Sequence, residues 1–335
     1  MPTTRQSNGF LILDYSKHIE LVPRVHTLVN DMNLFTDVFG STTVAQAERV
    51  VEKTGLISAR KRGGERNFVD SEDARTENFN IPFFPLDRHI KAADIQNFRA
   101  YGEGNAPKTL ESEIARIMAR IKRFQAQLKE RAMVAAIMGT SWAPNDPDAT
   151  YDYYTVWGLT QATANVNFTT TTIDPRDVIE DQARAHIIDE AADSAGEYRI
   201  LAICSRKYFS ALIAHPLVEN AYQFYDSAQE PLRRRLGGDA INRMFESKGV
   251  LYIEDISGYF GTDDAFIMPL GINDMFKNQF APADVAQTAN ETAQELYLWY
   301  KESDYHRDQK LESESSFISI NARPELVVKS VGTYV

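Results

Sequence analysis

The reactive side chains of this 335-residue sequence form no complete catalytic motif. His306-Arg307-Asp308 matches the first residues of a kinase catalytic loop, but position 313 is serine where that motif has asparagine. The sequence contains neither a glycine-rich phosphate-binding loop nor a G-x-S-x-G sequence. It therefore does not predict a kinase, a nucleotide-binding enzyme or a serine hydrolase of these types.

The candidate nucleophile and metal ligands are better explained as structural residues. The single cysteine, Cys204, excludes a disulfide within the chain and a site built from several cysteines. It lies in the apolar stretch 198–204 (YRILAIC), where burial would raise the pKa of the thiol and leave the sulfur unreactive. The histidines have no H-x-x-x-H spacing, which argues against a metal site. They are His18, His26, His89, His186, His215 and His306.

Clusters of charged residues are the remaining candidates for binding. The carboxylates of Asp263-Asp264 and of residues 70–73 do not define the fixed pair that a glycosidase needs, so solvated loops are favoured. Two basic clusters lie at residues 60–66 (RKRGGER) and 233–235 (RRR). Neither is interleaved with aromatic residues, so we expect salt bridges to an acidic neighbour rather than contacts to nucleic acid.

The composition is that of a globular protein. Hydrophobic residues make up 43% and charged residues 25%, which excludes a disordered or low-complexity chain. Lys+Arg is 36 and Asp+Glu is 47, and the resulting net charge of −11 argues against a protein that binds nucleic acid through its phosphates. No run of 18 apolar residues is present and the first ten residues are polar, so neither a membrane span nor a secretory signal is expected.

Residues 41–91 predict one long, polar hairpin. Strand-like residues flank a turn at Gly63-Gly64, and each arm has about 20 residues, or roughly 65 Å when extended. A domain of this length has a radius of gyration of only about 20 Å. The hairpin must therefore project or lie on a neighbour.

Residues 107–138 predict one long helix, about 45 Å in length. Thr109 or Asn105 could cap its start, and Gly139 ends it. Its apolar residues recur at spacings of three and four, which is typical of a helix with one buried face. They are Leu110, Ile114, Ile117, Ile121, Phe124, Leu128 and Ala132.

Residues 174–275 predict a compact α+β unit. A helix begins with Asp174 as N-cap and Pro175 at its first position and runs to about Asp193. Strands are predicted at 198–204, 250–256 and 265–272, with Ser205 capping a short helix to Ala214, and Pro269 places the last strand at a sheet edge or a strand end. A short strand is predicted at 151–157, and strand-like runs at 296–301, 316–322 and 326–331 should pair with distant segments, most simply near the long helix.

This order of elements resembles the capsid fold of tailed bacteriophages, and several segments resemble the major capsid protein E family of lambda-like phages. The resemblance covers nearly the whole chain and rests on the succession of segments. These segments are 59–64 followed by Phe68, 114–138, 198–203 followed by Phe209 and Leu212, and 317–329.

The resemblance implies an α+β chain with the HK97-type capsid fold: an N-terminal arm, an extended β-hairpin E-loop, a P-domain with a long spine helix, and an α+β A-domain. The implied ranges are 1–40 for the arm, 41–91 for the E-loop, 92–173 for the P-domain with the spine helix at 107–138, 174–280 for the A-domain, and 281–335 for strands returning to the P-domain. Segment 140–172 has no counterpart that the resemblance places.

The resemblance also implies a non-enzymatic major capsid protein without a cofactor. Its copies would form hexamers and pentamers of an icosahedral shell that encloses double-stranded DNA without specific binding, with no membrane involved. A separate scaffold protein, a portal and a decoration protein would be partners, and assembly in the host cytoplasm would end in the virion. The predicted subunit-interface residues are Arg60, Lys61, Arg62, Gly63, Gly64 and Arg66 in the E-loop and Arg233, Arg234 and Arg235 in the A-domain.

Three alternatives stay open at this point. An encapsulin-type compartment shares the fold and would carry a packaged enzyme. A soluble α+β enzyme with an unrecognised site would be a monomer with measurable turnover. A DNA-binding protein would shift DNA in a gel with a steep dependence on salt.

Overall fold

The computed structural model describes residues 3–7, 10–14, 25–51, 73–96, 109–191, 199–219, 221–222, 242–272, 274–286, 288, 290–302 and 308–334. The described residues form sixteen strands and six α-helices. The strands are β1 (Thr3–Ser7), β2 (Phe10–Asp14), β3 (Thr36–Phe39), β4 (Val44–Val51), β5 (Asp73–Asn80), β6 (Phe83–Pro85), β7 (Arg88–Lys91), β8 (Thr163–Asn167), β9 (Arg199–Ser205), β10 (Met244–Ser247), β11 (Val250–Asp255), β12 (Asp264–Leu270), β13 (Phe276–Phe280), β14 (Tyr297–Glu302), β15 (Asp308–Asn321) and β16 (Val328–Thr333). The helices are α1 (Leu28–Asp31), α2 (Leu110–Ile137), α3 (Tyr153–Trp157), α4 (Pro175–Ile179), α5 (Ala185–Ala191) and α6 (Arg206–Ala214).

Helix α2 confirms the predicted long helix. Its N-cap is Thr109, whose hydroxyl accepts the N–H of Ser112 while the Ser112 hydroxyl accepts the N–H of Thr109. This reciprocal arrangement satisfies two N–H groups that the first helical turn leaves without partners. Gly139 follows the last turn with φ +96, a left-handed conformation that ends the helix at low cost only for glycine.

One sheet contains six strands in the order β10-β11-β9-β12-β16-β8. Successive side chains of β9 point to opposite faces of this sheet. Ala202 and Cys204 pack in a cluster with residues of α4 and α6, whereas Leu201 and Ile203 pack with the C-terminal end of α2. Both faces are covered, which explains why this strand is a continuous apolar run in the sequence.

The other large sheet is organised by β15, a strand of 14 residues. Its order is β14-β15-β13-β3, and β6 and β7 also pair with β15. Ile117 and Ile121 of α2 pack with Ile90 of β7 and Leu311 of β15 in one cluster. The long helix therefore lies against this sheet with its N-terminal half and reaches the first sheet with its C-terminal end.

The predicted strand at 151–157 is wrong, because residues 153–157 form helix α3. The Asp152 carboxylate accepts the N–H groups of Tyr154 and Thr155, and Gly158 ends the helix with φ +66. These two caps outweigh the preference of the intervening tyrosine, threonine, valine and tryptophan for strands.

The helix that begins at Asp174 is confirmed, with Asp174 as N-cap and Pro175 in the first turn. It is interrupted by a π-helical turn at Glu180–Arg184 before it continues as α5. Residues 192–198, where its end was predicted, lie outside the described residues.

The sequence places Pro269 either at a sheet edge or at a strand end, and the structure supports only the strand end. Strand β12 lies between β9 and β16 and is not a sheet edge, so that part of the prediction is wrong. The pairing with β16 covers only residues 264–267, so Pro269 lies near the strand end, where β9 alone is its neighbour. A proline without an N–H is tolerated there because no second ladder needs a donor.

The closing strands separate between the two sheets. Strands β14 and β15 belong to the sheet beside α2, as expected, whereas β16 pairs with β12 and β8 in the first sheet. The expectation of a distant partner is wrong for β14, which pairs with the next strand, β15. Strand pairing therefore joins residues from three of the predicted ranges, 92–173, 174–280 and 281–335. The division of the chain into these ranges stays a prediction. Among the described residues no helix combines the length and the apolarity that a membrane span requires.

Glu130 of α2 joins the N-terminal segment to the long helix. Its side chain is buried, and its two oxygens accept the N–H of Val29 at 2.7 Å and the N–H of Asn30 at 3.0 Å. Burial raises the pKa of Glu130 from 4.5 to about 7; the nearby Asp31 and Asp255 add to the rise, and the two N–H groups oppose it.

We expect Glu130→Gln to flatten the pH dependence of stability between pH 4.5 and about 7. Because the folded chain holds this proton more tightly than the unfolded chain, Glu130 contributes most to the unfolding free energy below pH 4.5, and this contribution is lost as the pH rises through about 7. The loss is at most about 3 kcal/mol. Urea unfolding of the subunit across this range measures it. Glu111→Gln, the same change on an exposed side of α2, is the control, and an unchanged pH slope in Glu130→Gln would contradict the assignment.

We expect Gly139→Ala to destabilise the subunit more than Gly261→Ala. Both glycines have positive φ, +96 and +86, so both alanines carry about 1–2 kcal/mol of backbone strain. A methyl group at position 139 would also overlap the ring of Tyr154, whereas nothing lies within 4 Å of the corresponding position at Gly261. Thermal unfolding of the two variants measures the difference, and equal losses would show that the contact with Tyr154 is unimportant.

Candidate assembly interface

The base of the predicted hairpin is present as two paired strands. Strands β4 and β5 are antiparallel, from the pair Val44–Asn80 to the pair Val51–Asp73. Residues 52–72, which include the predicted interface residues Arg60, Lys61, Arg62, Gly63, Gly64 and Arg66, lie outside the described residues. Residues 223–241, which include Arg233, Arg234 and Arg235, lie outside them as well.

The base of the hairpin is anchored by one buried aromatic residue. Phe79 of β5 is fully buried. Its ring meets Tyr151 edge-on at 5.0 Å and Tyr153 at 5.7 Å between ring centres, and Trp157 lies at 6.5 Å. Edge-to-face aromatic pairs of this kind add to the stabilisation from burial. Segment 140–172, which the sequence left without a role, therefore supplies the pocket that holds the hairpin base.

Polar contacts fix the same strands from two sides. The N–H of Asn80 donates to the hydroxyl of Tyr151 at 2.9 Å, and a guanidinium N–H of Arg75 donates to the carbonyl of Val156 at 2.6 Å. Arg49 on β4 forms an ion pair of 3.1 Å with Glu325, whose side chain is only 7% exposed. Both strands of the hairpin are thus bound to the body of the subunit, and its orientation at the base is set by the fold.

Apolar side chains are exposed around this base. Phe83 of β6, Val44 of β4, and Val38 and Phe39 of β3 are between 36% and 44% exposed. A cavity of about 610 Å³ opens between Ser41, Ile81, Phe83 and the loop at 281–286. Strand β3 lies at the edge of its sheet in the described part of the chain. Exposed apolar residues beside a sheet edge are typical of a surface that contacts another protein.

The cysteine and the two neighbouring aspartates that the sequence offered as candidates have contacts that are typical of structural residues. Cys204 is buried in the core, and burial raises the pKa of its thiol, as expected of an unreactive sulfur. Asp263 binds Lys207 at 2.8 Å and Asp264 binds Lys329 at 2.9 Å, so these two carboxylates do not form one site. Within the described ranges, no three side chains of histidine, cysteine, aspartate or glutamate are grouped closely enough to hold a metal ion.

Comparison with protein families and known proteins identifies the fold. The family described as phage major capsid protein E matches residues 16–331. The major capsid protein of Pseudomonas phage KPP10 is 31% identical over 347 residues, and the alignment covers 98% of each chain. The major capsid protein of Salmonella phage Felix O1 is 23% identical, again with 98% of each chain covered.

Solved capsid structures have the same architecture. The mature capsid of bacteriophage PhiM1 contains a chain with a TM-score of 0.58 and 14% identity, with 95% of this chain and 90% of that chain covered. A chain of the capsid of cyanophage P-SCSP1u has a TM-score of 0.55 and 12% identity, with 97% and 93% covered. The predicted α+β, HK97-type capsid fold is confirmed. Since the family match spans residues 16–331, nearly the whole chain, and a relative 31% identical aligns over 98% of it, the chain belongs to the phage major capsid protein E family.

Proposed function

We propose that this chain is the major capsid protein of a tailed double-stranded DNA phage, and that its copies assemble as hexamers and pentamers into an icosahedral shell that encloses the genome. The observation that carries the proposal is the anchored base of the hairpin. Strands β4 and β5 pair in a base that Phe79, Arg75 and Asn80 fix to the body of the subunit, and the segment 52–72 connects them. Membership in a capsid family supports the same conclusion.

The mechanism of assembly is geometric. A hairpin with a fixed base presents the segment 52–72 to a neighbouring copy in one direction, and so adds contact area that a single globular domain cannot offer. Helix α2 stiffens the subunit because its N-terminal half packs on the sheet of β15 and its C-terminal end packs on both sheets. Contacts that are weak in one pair of subunits become stable when a closed shell repeats them many times.

The two basic clusters are the proposed charge contacts between subunits. Arg60, Lys61, Arg62 and Arg66 would reach an acidic surface of the adjacent copy, and Arg233, Arg234 and Arg235 would do so near the centre of each hexamer or pentamer. The net charge of −11 supports this assignment, because carboxylates outnumber basic side chains on a neighbouring copy. The same charge lets the shell surround DNA without binding it specifically.

A separate scaffold protein, a portal and a decoration protein are the proposed partners, and assembly in the host cytoplasm gives a subunit of the virion. A non-enzymatic role agrees with membership in a structural family. An encapsulin-type compartment and a soluble enzyme are less favoured, because the curated relatives that align over 98% of the chain are phage major capsid proteins.

Negative-stain microscopy of the purified protein with its scaffold tests the proposal. We expect closed shells of uniform diameter, and only small species of fixed size would contradict it. Deletion of residues 58–70 should abolish the shells and leave a folded subunit, since β4, β5 and the pocket around Phe79 are retained. Circular dichroism and thermal unfolding check the fold of the deletion variant. Shells formed in normal yield would refute the role of the hairpin.

Replacing Arg60, Lys61, Arg62 and Arg66 by serine keeps the hairpin at its full length and tests charge alone. We expect assembly to need a higher subunit concentration, because the ionic contacts to the neighbouring copy are lost. Light scattering, recorded over a series of subunit concentrations, measures the concentration at which assembly begins. Replacement of Lys91, Lys122, Arg206 and Lys301 by serine, four exposed basic residues elsewhere, is the control for loss of the same number of positive charges. Equal behaviour of the two variants would contradict the assignment.

A further inference from the structure

A groove with basic walls lies beside the N-terminal half of α2. It encloses about 230 Å³, less than the roughly 300–1,000 Å³ of most small-molecule sites. Ile117, Ile121 and Phe124 of α2 form its apolar side, and Arg88, Arg120 and Arg123 are among the side chains that line it. A groove of this size and lining suits a few side chains of a peptide segment better than a cofactor.

The positive charge of this groove is not balanced within the described part of the subunit. The two carboxylates that line the groove each bind a cation already: Asp87 pairs with Lys310 at 2.9 Å, and Glu113 pairs with Arg116 at 2.9 Å. No carboxylate of the described residues forms an ion pair with Arg88, Arg120 or Arg123. Three guanidinium groups therefore face the same groove in a chain whose net charge is −11.

The apolar part of the groove is also incomplete. Ile117 and Ile121 are buried beneath it, but Phe124 is 43% exposed. The guanidinium of Arg120 lies 5.3 Å from the centre of the Phe124 ring. Aromatic residues and arginine are both enriched at the centres of protein interfaces. The ligand that completes this groove must supply carboxylates and at least one apolar side chain.

We propose that residues 68–73 of a second copy of this chain bind in the groove. This inference rests on the proposed function, in which the hairpin lies on a neighbouring copy. The segment reads Phe-Val-Asp-Ser-Glu-Asp, so an aromatic residue is followed by three carboxylates. These match the exposed ring of Phe124 and the three guanidinium groups that have no ion pair among the described residues, in number and charge. Every copy carries one groove and one segment, so the contact repeats around a closed ring.

Charge reversal on both sides tests the contact in the full-length protein. Arg120→Glu with Arg123→Glu should raise the subunit concentration needed for half-maximal assembly by at least about tenfold, and Asp70→Lys with Glu72→Lys should do the same. The variant with all four substitutions should return to within about threefold of the unmodified protein, because opposite charges face each other again. Light scattering measures assembly, and thermal unfolding of the free subunit checks that each variant is folded.

An equimolar mixture of the two double variants distinguishes contact between copies from contact within one copy. Contact between copies predicts that the mixture assembles better than either variant alone, because some interfaces then join a reversed groove to a reversed segment. No improvement in the mixture, or no rescue in the fourfold variant, would overturn the proposal. Lys122→Glu is the matched control, since Lys122 is exposed on the same helix and does not line the groove.

Three further outcomes distinguish failure of the groove assignment from failure of the proposed function. If the unmodified protein forms no shells, the proposed function fails, and the groove assignment that rests on it fails as well. If the unmodified protein assembles and the groove variant assembles equally well, only the groove assignment is overturned. A double-stranded oligonucleotide could instead bind the unmodified protein and fail to bind the variant with Arg120→Glu and Arg123→Glu. If assembly of that variant were unchanged, this result would also overturn the proposal and would assign the groove to phosphate groups.

Discussion

The packing of the last turns of α2 is the constraint on which the other parts of the subunit depend. Residues 132–137 are all buried, and five of the six belong to three separate clusters. Met133, Val134 and Ile137 contact the first sheet, Ala132 contacts the sheet of β15, and Ala136 belongs to the cluster that holds Phe79. Alanine at positions 132, 135 and 136 keeps this side of the helix narrow, which allows the surrounding elements to approach it closely. Both sheets and the hairpin base are thus positioned relative to a single helix end.

This arrangement gives the subunit a tightly connected centre. The helix end, the aromatic pocket around Phe79 and the carboxylate of Glu130 tie sheet, hairpin and N-terminal segment to one another. Exposed apolar residues lie on β3 and β6, and the arginine-lined groove lies beside the N-terminal half of α2. Strand β3 is itself held to α2 by the ion pair between Asp37 and Lys129, at 2.8 Å. A contact that a neighbouring copy makes at these exposed side chains would therefore not require the core to repack.

Local patterns predict the elements of this fold better than they predict its pairings. The spacing of apolar residues and the caps at Thr109, Asp174 and Ser205 are properties of short stretches, so α2, α4 and α6 follow from the sequence. Helix α3 was missed because its residues favour strands, although Asp152 and Gly158 already signalled a capped helix. The partnership of β16 with β12 and the pocket of Phe79 join segments more than 60 residues apart, and no local pattern carries that information. The arginines of the groove are visible in the sequence, but their lack of partners is a property of the folded surface.

The position of β3 at a sheet edge in the described part of the chain has a consequence for the subunit before it assembles. The strand offers backbone donors and acceptors beside Val38 and Phe39, and an edge of this kind is a template for pairing with another extended chain. In concentrated solution, disordered association through this edge would compete with ordered assembly. The rate at which copies are supplied, and not only their affinity, would then decide which of the two prevails.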